Sequence, residues 1–175
     1  PMPVINAEVC YEGIMESCRE EVVRMMFWTS ILSGTCGHTY GANGIWQLNR
    51  PEARYGPSPH GYSWGDRPWP EAMGLPGSGQ LGLAKRLLER WEWWRLEPHP
   101  EWVEPRWSEE NFVLPYAAGI PGELRLVYLF SAMPAPKRSS APRCRNWTRR
   151  NVPRSSMRCG AILAGQRRKP SISVR

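Results

Sequence analysis

The sequence predicts an α/β fold that leads into a β domain. Two patterns carry this prediction. A strand, a helix and a second strand follow one another within the first 40 residues, and two strands flank a Gly-Pro turn between residues 111 and 130. Strand–helix–strand order is typical of parallel strands connected by a covering helix. We therefore expect residues 1–105 to belong to a larger α/β sheet or barrel, and residues 106–130 to begin a β domain.

Length and composition limit the classes of protein to which this chain can belong. The 175 residues suit one domain, and no run approaches the ~20 apolar residues of a membrane-spanning helix. An apolar content of 41% with ten Trp argues against a disordered chain. Because the sequence begins at Pro1 and shows no signal peptide, we interpret it as an internal part of a longer protein and assign no compartment. We expect no membrane partner.

Local signals place the elements of the α/β part. The apolar run Pro3–Ala7 predicts a buried strand. Ser17 and Glu20 form a capping-box pattern, and apolar residues at helical spacing predict a helix over residues 18–33. A second strand is expected through His38–Tyr40, running into a Gly-rich loop. The two strands should be parallel neighbours.

The remaining elements are a loop, a helix and a hairpin. Residues 48–77 are rich in Pro and Gly and predict a long irregular loop, a feature that is usually functional. A helix capped by Ser78 is expected over residues 79–95. Strands are expected at Asn111–Tyr116 and Glu123–Phe130. Since a lone hairpin is marginally stable, further strands should complete this β domain.

Charge separates the end of the chain from the rest. Residues 1–130 hold all 16 acidic residues and a net charge of −5, whereas residues 131–175 hold 12 basic residues and no acid. One interpretation is a basic tail that binds nucleic acid. The other, which we favour, is loss of the reading frame near residue 131, because Arg outnumbers Lys ten to two in a segment without Asp or Glu. We expect this tail to be unstructured.

The five cysteines do not indicate a metal site. They lie at positions 10, 18, 36, 144 and 159, form no CxxC pair and have no His at zinc-finger spacing. Partly buried, reduced thiols are the simpler interpretation. We expect no metal and no cofactor.

Two carboxylates near the first strand are candidates for catalysis. Glu8 stands at the predicted carboxyl end of that strand, where α/β barrels build their active sites, and a carboxylate pair there can cleave a glycosidic bond. Alternatively, Glu8 caps the next turn or pairs with an Arg. Glu12 is the obvious second carboxylate, but catalytic groups in barrels usually come from different strands. We therefore prefer Glu12 as a supporting residue or a salt-bridge partner.

Four further residues are candidates for binding substrate. His38 and Tyr40 are two apart on a strand, so they share a face and are expected to project near Glu8. A core histidine is an equally good interpretation of His38. Asn43 and Trp46 lie in the following loop, where the Trp46 ring could stack on a sugar.

Three motifs resemble a known family. They are PVINAEVCYEG at Pro3–Gly13, GHTYGANGIW at Gly37–Trp46 and WGD at Trp64–Asp66. Together they resemble the C-terminal part of the apiosidase-like glycoside hydrolases, which have a (β/α)₈ TIM barrel. Many members carry a following β domain named for collagen binding, and Asn111–Phe130 resembles its beginning.

The resemblance implies specific positions in the barrel. Pro3–Ala7 and Gly37–Tyr40 would be its seventh and eighth strands, and residues 18–33 and 79–95 its last two helices. In the related barrel glycosidases the nucleophile is a Glu that ends strand seven, and Glu8 matches that position. The acid/base carboxylate ends strand four, which would precede Pro1. The tail after residue 130 matches nothing in the family.

The expected protein is thus part of a glycoside hydrolase: two barrel units, the start of a β-sandwich and a basic tail. Its parent would act on a complex polysaccharide with two carboxylates, and the fragment alone would be inactive. The alternatives are a non-catalytic module that binds carbohydrate or protein, and nucleic-acid binding through the tail. The oligomeric state is not predicted.

Overall fold

A computed structural model describes residues 2–14, 18–54, 65–130, 143–144 and 161–166. The chain divides into two compact units. The first comprises Pro1–Ile31 with Thr35–Trp94, and the second comprises Leu32–Gly34 with Arg95–Arg175. Within the described residues, no helix is long and apolar enough to cross a membrane.

The first unit is built on two parallel strands. Strand β1 (Ile5–Asn6) pairs in parallel with β2 (Gly37–His38), and helix α1 (Glu20–Leu32) connects them along the chain. Asn6 stands opposite His38 in the register. The predicted parallel pairing is confirmed, although both strands are shorter than the sequence predicts.

Both ends of helix α1 lie within two residues of the predicted bounds, 18–33. The predicted cap, Ser17, lies outside the described residues. The largest buried side chain of the helix is Trp28, which is 1% exposed. Arg24 is also buried, and its guanidinium donates a hydrogen bond to the side chain of Gln80. This helix therefore buries a wider face than the apolar spacing alone predicts.

Two more helices follow in the first unit. Helix α2 spans Trp69–Ala72 and α3 spans Pro76–Leu88. The predicted bounds of α3, 79–95, are wrong at both ends. Proline suits the first helical position because its missing N–H would have no partner there, so the helix begins at Pro76 and Ser78 is not its cap. After Leu88 the backbone leaves the helix, and a separate 3₁₀ turn forms at Trp93–Arg95.

The second unit contains an antiparallel sheet of four strands in the order β3-β5-β6-β8, and a separate two-stranded pair, β4-β7. Their bounds are Glu97–Pro98 (β3), Val103–Glu104 (β4), Tyr116–Ile120 (β5), Leu124–Leu129 (β6), Arg143–Cys144 (β7) and Ala161–Gln166 (β8). A small apolar cluster of Val103, Ala117 and Val127 is buried beside this sheet.

The first strand of the hairpin β5–β6 is displaced from its predicted position, whereas the second lies at Leu124–Leu129, within the predicted Glu123–Phe130. The strand predicted at Asn111–Tyr116 lies instead at Tyr116–Ile120, and the pair Ile120↔Leu124 leaves only three residues for the turn. Gly119 lies within β5, where it pairs with Arg125. A Cβ atom at this position would collide with the Leu124 carbonyl and the ring of Trp102. The glycine thus serves close packing rather than the turn.

The tail departs from its expected lack of structure at two places. Strand β7 pairs with β4, and β8 pairs with β6 over six positions. For these two strands the expectation of an unstructured tail is wrong. A sheet edge offers unpaired backbone N–H and C=O groups that any extended segment can satisfy. The pairing therefore does not test the proposed loss of reading frame, and a complete β-sandwich stays a prediction.

Candidate active site

Glu8 lies in the segment that follows β1, and its neighbours are fixed. The Ala7 carbonyl accepts a hydrogen bond from the Thr39 hydroxyl at 2.8 Å, and the Val9 side chain is buried. Glu8 itself is exposed, and no hydrogen bond or ion pair joins it to another described residue. Neither a cap nor an Arg partner is seen for Glu8 within the described residues. Its carboxylate is thus presented to solvent from an anchored backbone.

Glu12 has the opposite environment. It is 2% exposed, and its carboxylate accepts hydrogen bonds from the Tyr40 hydroxyl at 2.6 Å and from the Gly77 backbone N–H at 3.0 Å to each oxygen. Gly77 lies in the first turn of α3, where free N–H groups and the helix dipole favour a negative charge. Glu12 therefore connects the segment after β2 to the start of α3.

We call this group, formed by Glu12, Tyr40 and Gly77, the Glu12 clamp. A Cβ atom at position 77 would overlap the Glu12 carboxylate, so glycine allows the close approach. Burial, followed by the hydrogen bond and charge of Glu12, raises the pKa of Tyr40, which keeps its hydroxyl protonated as the donor. The role of Glu12 as a supporting residue stays a prediction, and the contacts of the clamp give that role a specific form.

His38 lies on the side of β2 that faces the helices. Its ring meets the Phe27 ring edge-on at a centroid distance of 5.4 Å. Its register partner Asn6 also faces α1, since the Asn6 side-chain amide donates to the Ser30 hydroxyl at 3.0 Å. These contacts agree with the alternative of a core histidine, and the projection of His38 near Glu8 stays a prediction. Strand alternation fixes which residues share a face, but the position of α1 decides which face is covered.

The other three predicted binding residues separate into two groups. Tyr40 belongs to the Glu12 clamp, and Asn43 is 2% exposed and accepts a hydrogen bond from the Gln47 side-chain amide. Trp46, by contrast, is 39% exposed, with its ring centroid 6.2 Å from that of Tyr11. Of the four candidates, Trp46 presents the most accessible aromatic surface.

Sequence reasoning missed Tyr11, Gly41 and Gly77. A Cβ atom at Gly41 would overlap the Tyr11 ring, so this glycine lets the aromatic side chain lie against the backbone. The Pro76-Gly77 pair did carry a signal, because proline at a helix start is common. Gly41 carried no comparable signal, because a Gly-rich loop explains a glycine at this position equally well.

The described residues offer no metal site of at least three His, Cys, Asp or Glu side chains. Cys10, Cys18 and Cys36 are free thiols. Burial, with a hydrogen bond to Cys10, raises the pKa of the Cys18 thiol to about 12. Cys18 is therefore a packing residue and a poor nucleophile at neutral pH.

Comparisons with known proteins agree on one class of enzyme. The family model "Apiosidase-like, catalytic domain" matches residues 1–95. A solved structure titled glycoside hydrolase is similar at 25% identity and a TM-score of 0.61, over 73% of this chain and 29% of that protein. A glycoside hydrolase family 5 protein from Bacteroides vulgatus is similar at 27% identity and a TM-score of 0.60, over 72% and 28%. The chain thus spans less than a third of either protein, and no curated protein matches it.

Proposed function

The chain belongs to the apiosidase-like glycoside hydrolases, and from this premise we propose that the whole protein hydrolyses O-glycosidic bonds in a complex polysaccharide. Two similar solved structures are glycoside hydrolases, which supports a carbohydrate substrate. The proposed reaction uses two carboxylates and water, with no cofactor. Because the chain spans under a third of those proteins, we assign the activity to the complete protein and expect these 175 residues alone to be inactive.

The observation that carries this proposal is the contrast between Glu8 and Glu12. Both oxygens of Glu12 accept hydrogen bonds in a buried clamp, whereas Glu8 is exposed after a parallel strand. A nucleophile has to reach the anomeric carbon of a bound sugar, so the accessible carboxylate is the better candidate. We therefore assign Glu8 as the nucleophile and Glu12 as a structural support.

The proposed mechanism retains the configuration of the sugar. The Glu8 carboxylate attacks the anomeric carbon, and the bond to the leaving oxygen breaks as a second carboxylic acid protonates that oxygen. A glycosyl ester of Glu8 results. The second carboxylate then takes a proton from water, which attacks the anomeric carbon and releases Glu8. Glu12 cannot supply this acid while it holds Tyr40 and Gly77, so we place the acid/base on another strand of the complete barrel.

For the substrate we propose one contact from this chain. The exposed Trp46 ring, with Tyr11 beside it, provides an apolar platform of the kind that stacks on the C–H face of a sugar. His38, Tyr40 and Asn43 then contribute by holding the strand and loop in place. Trp46→Ala should accordingly raise KM more than it lowers kcat.

The test is a pair of variants in the full-length protein. Glu8→Gln keeps the size of the side chain but removes its nucleophilic charge, so kcat should fall by about 10³-fold or more with the melting temperature unchanged. Glu12→Gln is the matched control and should lower stability more than kcat. In Glu8→Ala, added azide should attack the anomeric carbon in place of the missing carboxylate, so turnover should be restored with a glycosyl azide as the product. Near-normal turnover by both Gln variants would remove the proposed mechanism.

A further inference from the structure

The first unit contains a cavity that is separate from Glu8 and the Glu12 clamp. It has a volume of about 340 Å³ and lies between α1, β2 and α3. Its walls are apolar and mostly aromatic or aliphatic, formed by Phe27, Ile31, Leu81, Leu88 and Trp93. Neither Glu8 nor Glu12 lines it. Such a cavity is large enough to hold a small organic molecule, since an apolar cavity of about 150 Å³ accepts benzene.

A polar side chain with buried nitrogens, His38, interrupts the apolar wall. His38 lines the cavity, and both of its ring nitrogens are buried without a hydrogen-bond partner in the described part of the chain. A neutral imidazole has one N–H donor and one acceptor nitrogen. Buried polar groups normally have partners, so both nitrogens are available to a molecule bound in the cavity. A ligand with a hydroxyl group can satisfy either nitrogen.

The charged residues at the cavity do not favour an ionic ligand. Lys85 and Glu89 both line it, and they form an ion pair with each other at 3.3 Å. Their charges therefore offset, and a free anion or cation gains little from them. A sugar is also a poor fit, because most of its hydroxyl groups would face apolar walls without a hydrogen-bond partner.

We propose that this cavity is a binding site for a small phenol. The aromatic ring would lie among Phe27, Leu81 and Trp93, and the phenolic hydroxyl would donate to the acceptor nitrogen of His38. A phenol combines the two properties that the cavity requires, an apolar ring and one hydroxyl. This inference is independent of the glycosidase mechanism, because neither Glu8 nor Trp46, the two residues proposed to contact the substrate, lines the cavity.

The probe for this test is 4-ethylphenol, with ethylbenzene as the matched compound that lacks the hydroxyl. Calorimetric titration of the full-length protein should show saturable 1:1 binding of the phenol. Ethylbenzene should bind at least about tenfold weaker, the cost of one lost hydrogen bond to a buried group.

Three variants assign the binding to this cavity. His38→Phe should abolish the preference for the phenol over ethylbenzene. Gly82→Leu should abolish binding, since Gly82 lines the cavity and a Cβ there meets nothing closer than 3.6 Å. Gly79→Leu, on the same helix and with nothing within 4 Å of its Cβ, is the control and should bind normally. Both Leu variants should keep the helix, because leucine is a better helix former than glycine.

The proposal is overturned if 4-ethylphenol shows no saturable binding, or if ethylbenzene binds equally well to the unchanged chain. It is also overturned if Gly82→Leu binds as tightly as Gly79→Leu, because the phenol would then lie elsewhere. Should His38→Phe fail to fold by circular dichroism, the two glycine variants and the two probes still decide the outcome.

Discussion

The Glu12 clamp gives the sharpest stability prediction. Replacing Glu12 by Ala leaves the Tyr40 hydroxyl and the Gly77 N–H buried without their acceptor. Each such group costs about 1–3 kcal/mol, so the variant should lose about 2–6 kcal/mol of unfolding free energy. Glu12→Gln keeps one acceptor oxygen but loses the charge at the start of α3, and we expect a loss of about 1–3 kcal/mol.

Chemical denaturation of the full-length protein measures this loss. The matched control is Glu8→Gln, because Glu8 is exposed and bonds to no described residue; it should change stability by less than about 0.5 kcal/mol. A double-mutant cycle of Glu12→Gln with Tyr40→Phe should give a coupling of about 0.5–3 kcal/mol, as expected for residues in direct contact. If Glu12→Gln costs no more than Glu8→Gln, the clamp does not stabilise this unit and our assignment of Glu12 fails.

Three further predictions follow from burial and close packing. Burial lowers the pKa of the His38 imidazole below 6.5, so as the pH falls the unfolded chain takes up this proton before the folded chain does. The stabilising contribution of neutral His38 is therefore present above pH 6.5 and is lost as the pH falls below it. His38→Phe should remove this part of the pH dependence of the unfolding free energy, with the neighbouring Lys85–Glu89 pair unchanged. Because burial raises the pKa of the Cys18 thiol to about 12, it carries very little thiolate at pH 8, and mass spectrometry after alkylation should find the exposed Cys36 labelled long before Cys18. Equal labelling rates would contradict the burial of Cys18. Gly119→Ala forces a methyl group against the Leu124 carbonyl and the Trp102 ring, so it should lower the unfolding free energy of the second unit by about 1–3 kcal/mol. An unchanged melting curve would show that this packing is wrong.

Local signals explain how much of the fold could be predicted. The apolar run before Glu8 and the helical spacing after Glu20 are properties of short segments, and they located β1 and α1. Parallel pairing followed from the strand–helix–strand order. The family resemblance came from motifs in the same segments, and the family match over residues 1–95 confirms it.

The errors concern contacts between distant segments. Glu12 binds Gly77, 65 residues later, and no local pattern could show that α3 begins over its carboxylate. Likewise, the close approach of the Trp102 ring to Gly119 in β5 joins two segments that no local pattern relates. The pairing of β8 with β6 could not be predicted from composition, because it uses backbone groups that every sequence possesses.

The central claim is that Glu8 is the nucleophile of a retaining glycoside hydrolase, and trapping the glycosyl ester tests it most directly. The full-length protein is incubated with a panel of 2-deoxy-2-fluoro glycosides that carry activated leaving groups. The fluorine slows both formation and hydrolysis of the glycosyl ester, whereas the activated leaving group speeds only its formation, so the ester accumulates. Peptide mass spectrometry should then find one sugar attached to Glu8, and Glu8→Gln should take up none. A label on Glu12 or another carboxylate, or rapid hydrolysis of an unfluorinated substrate with inversion and no label, would contradict the account.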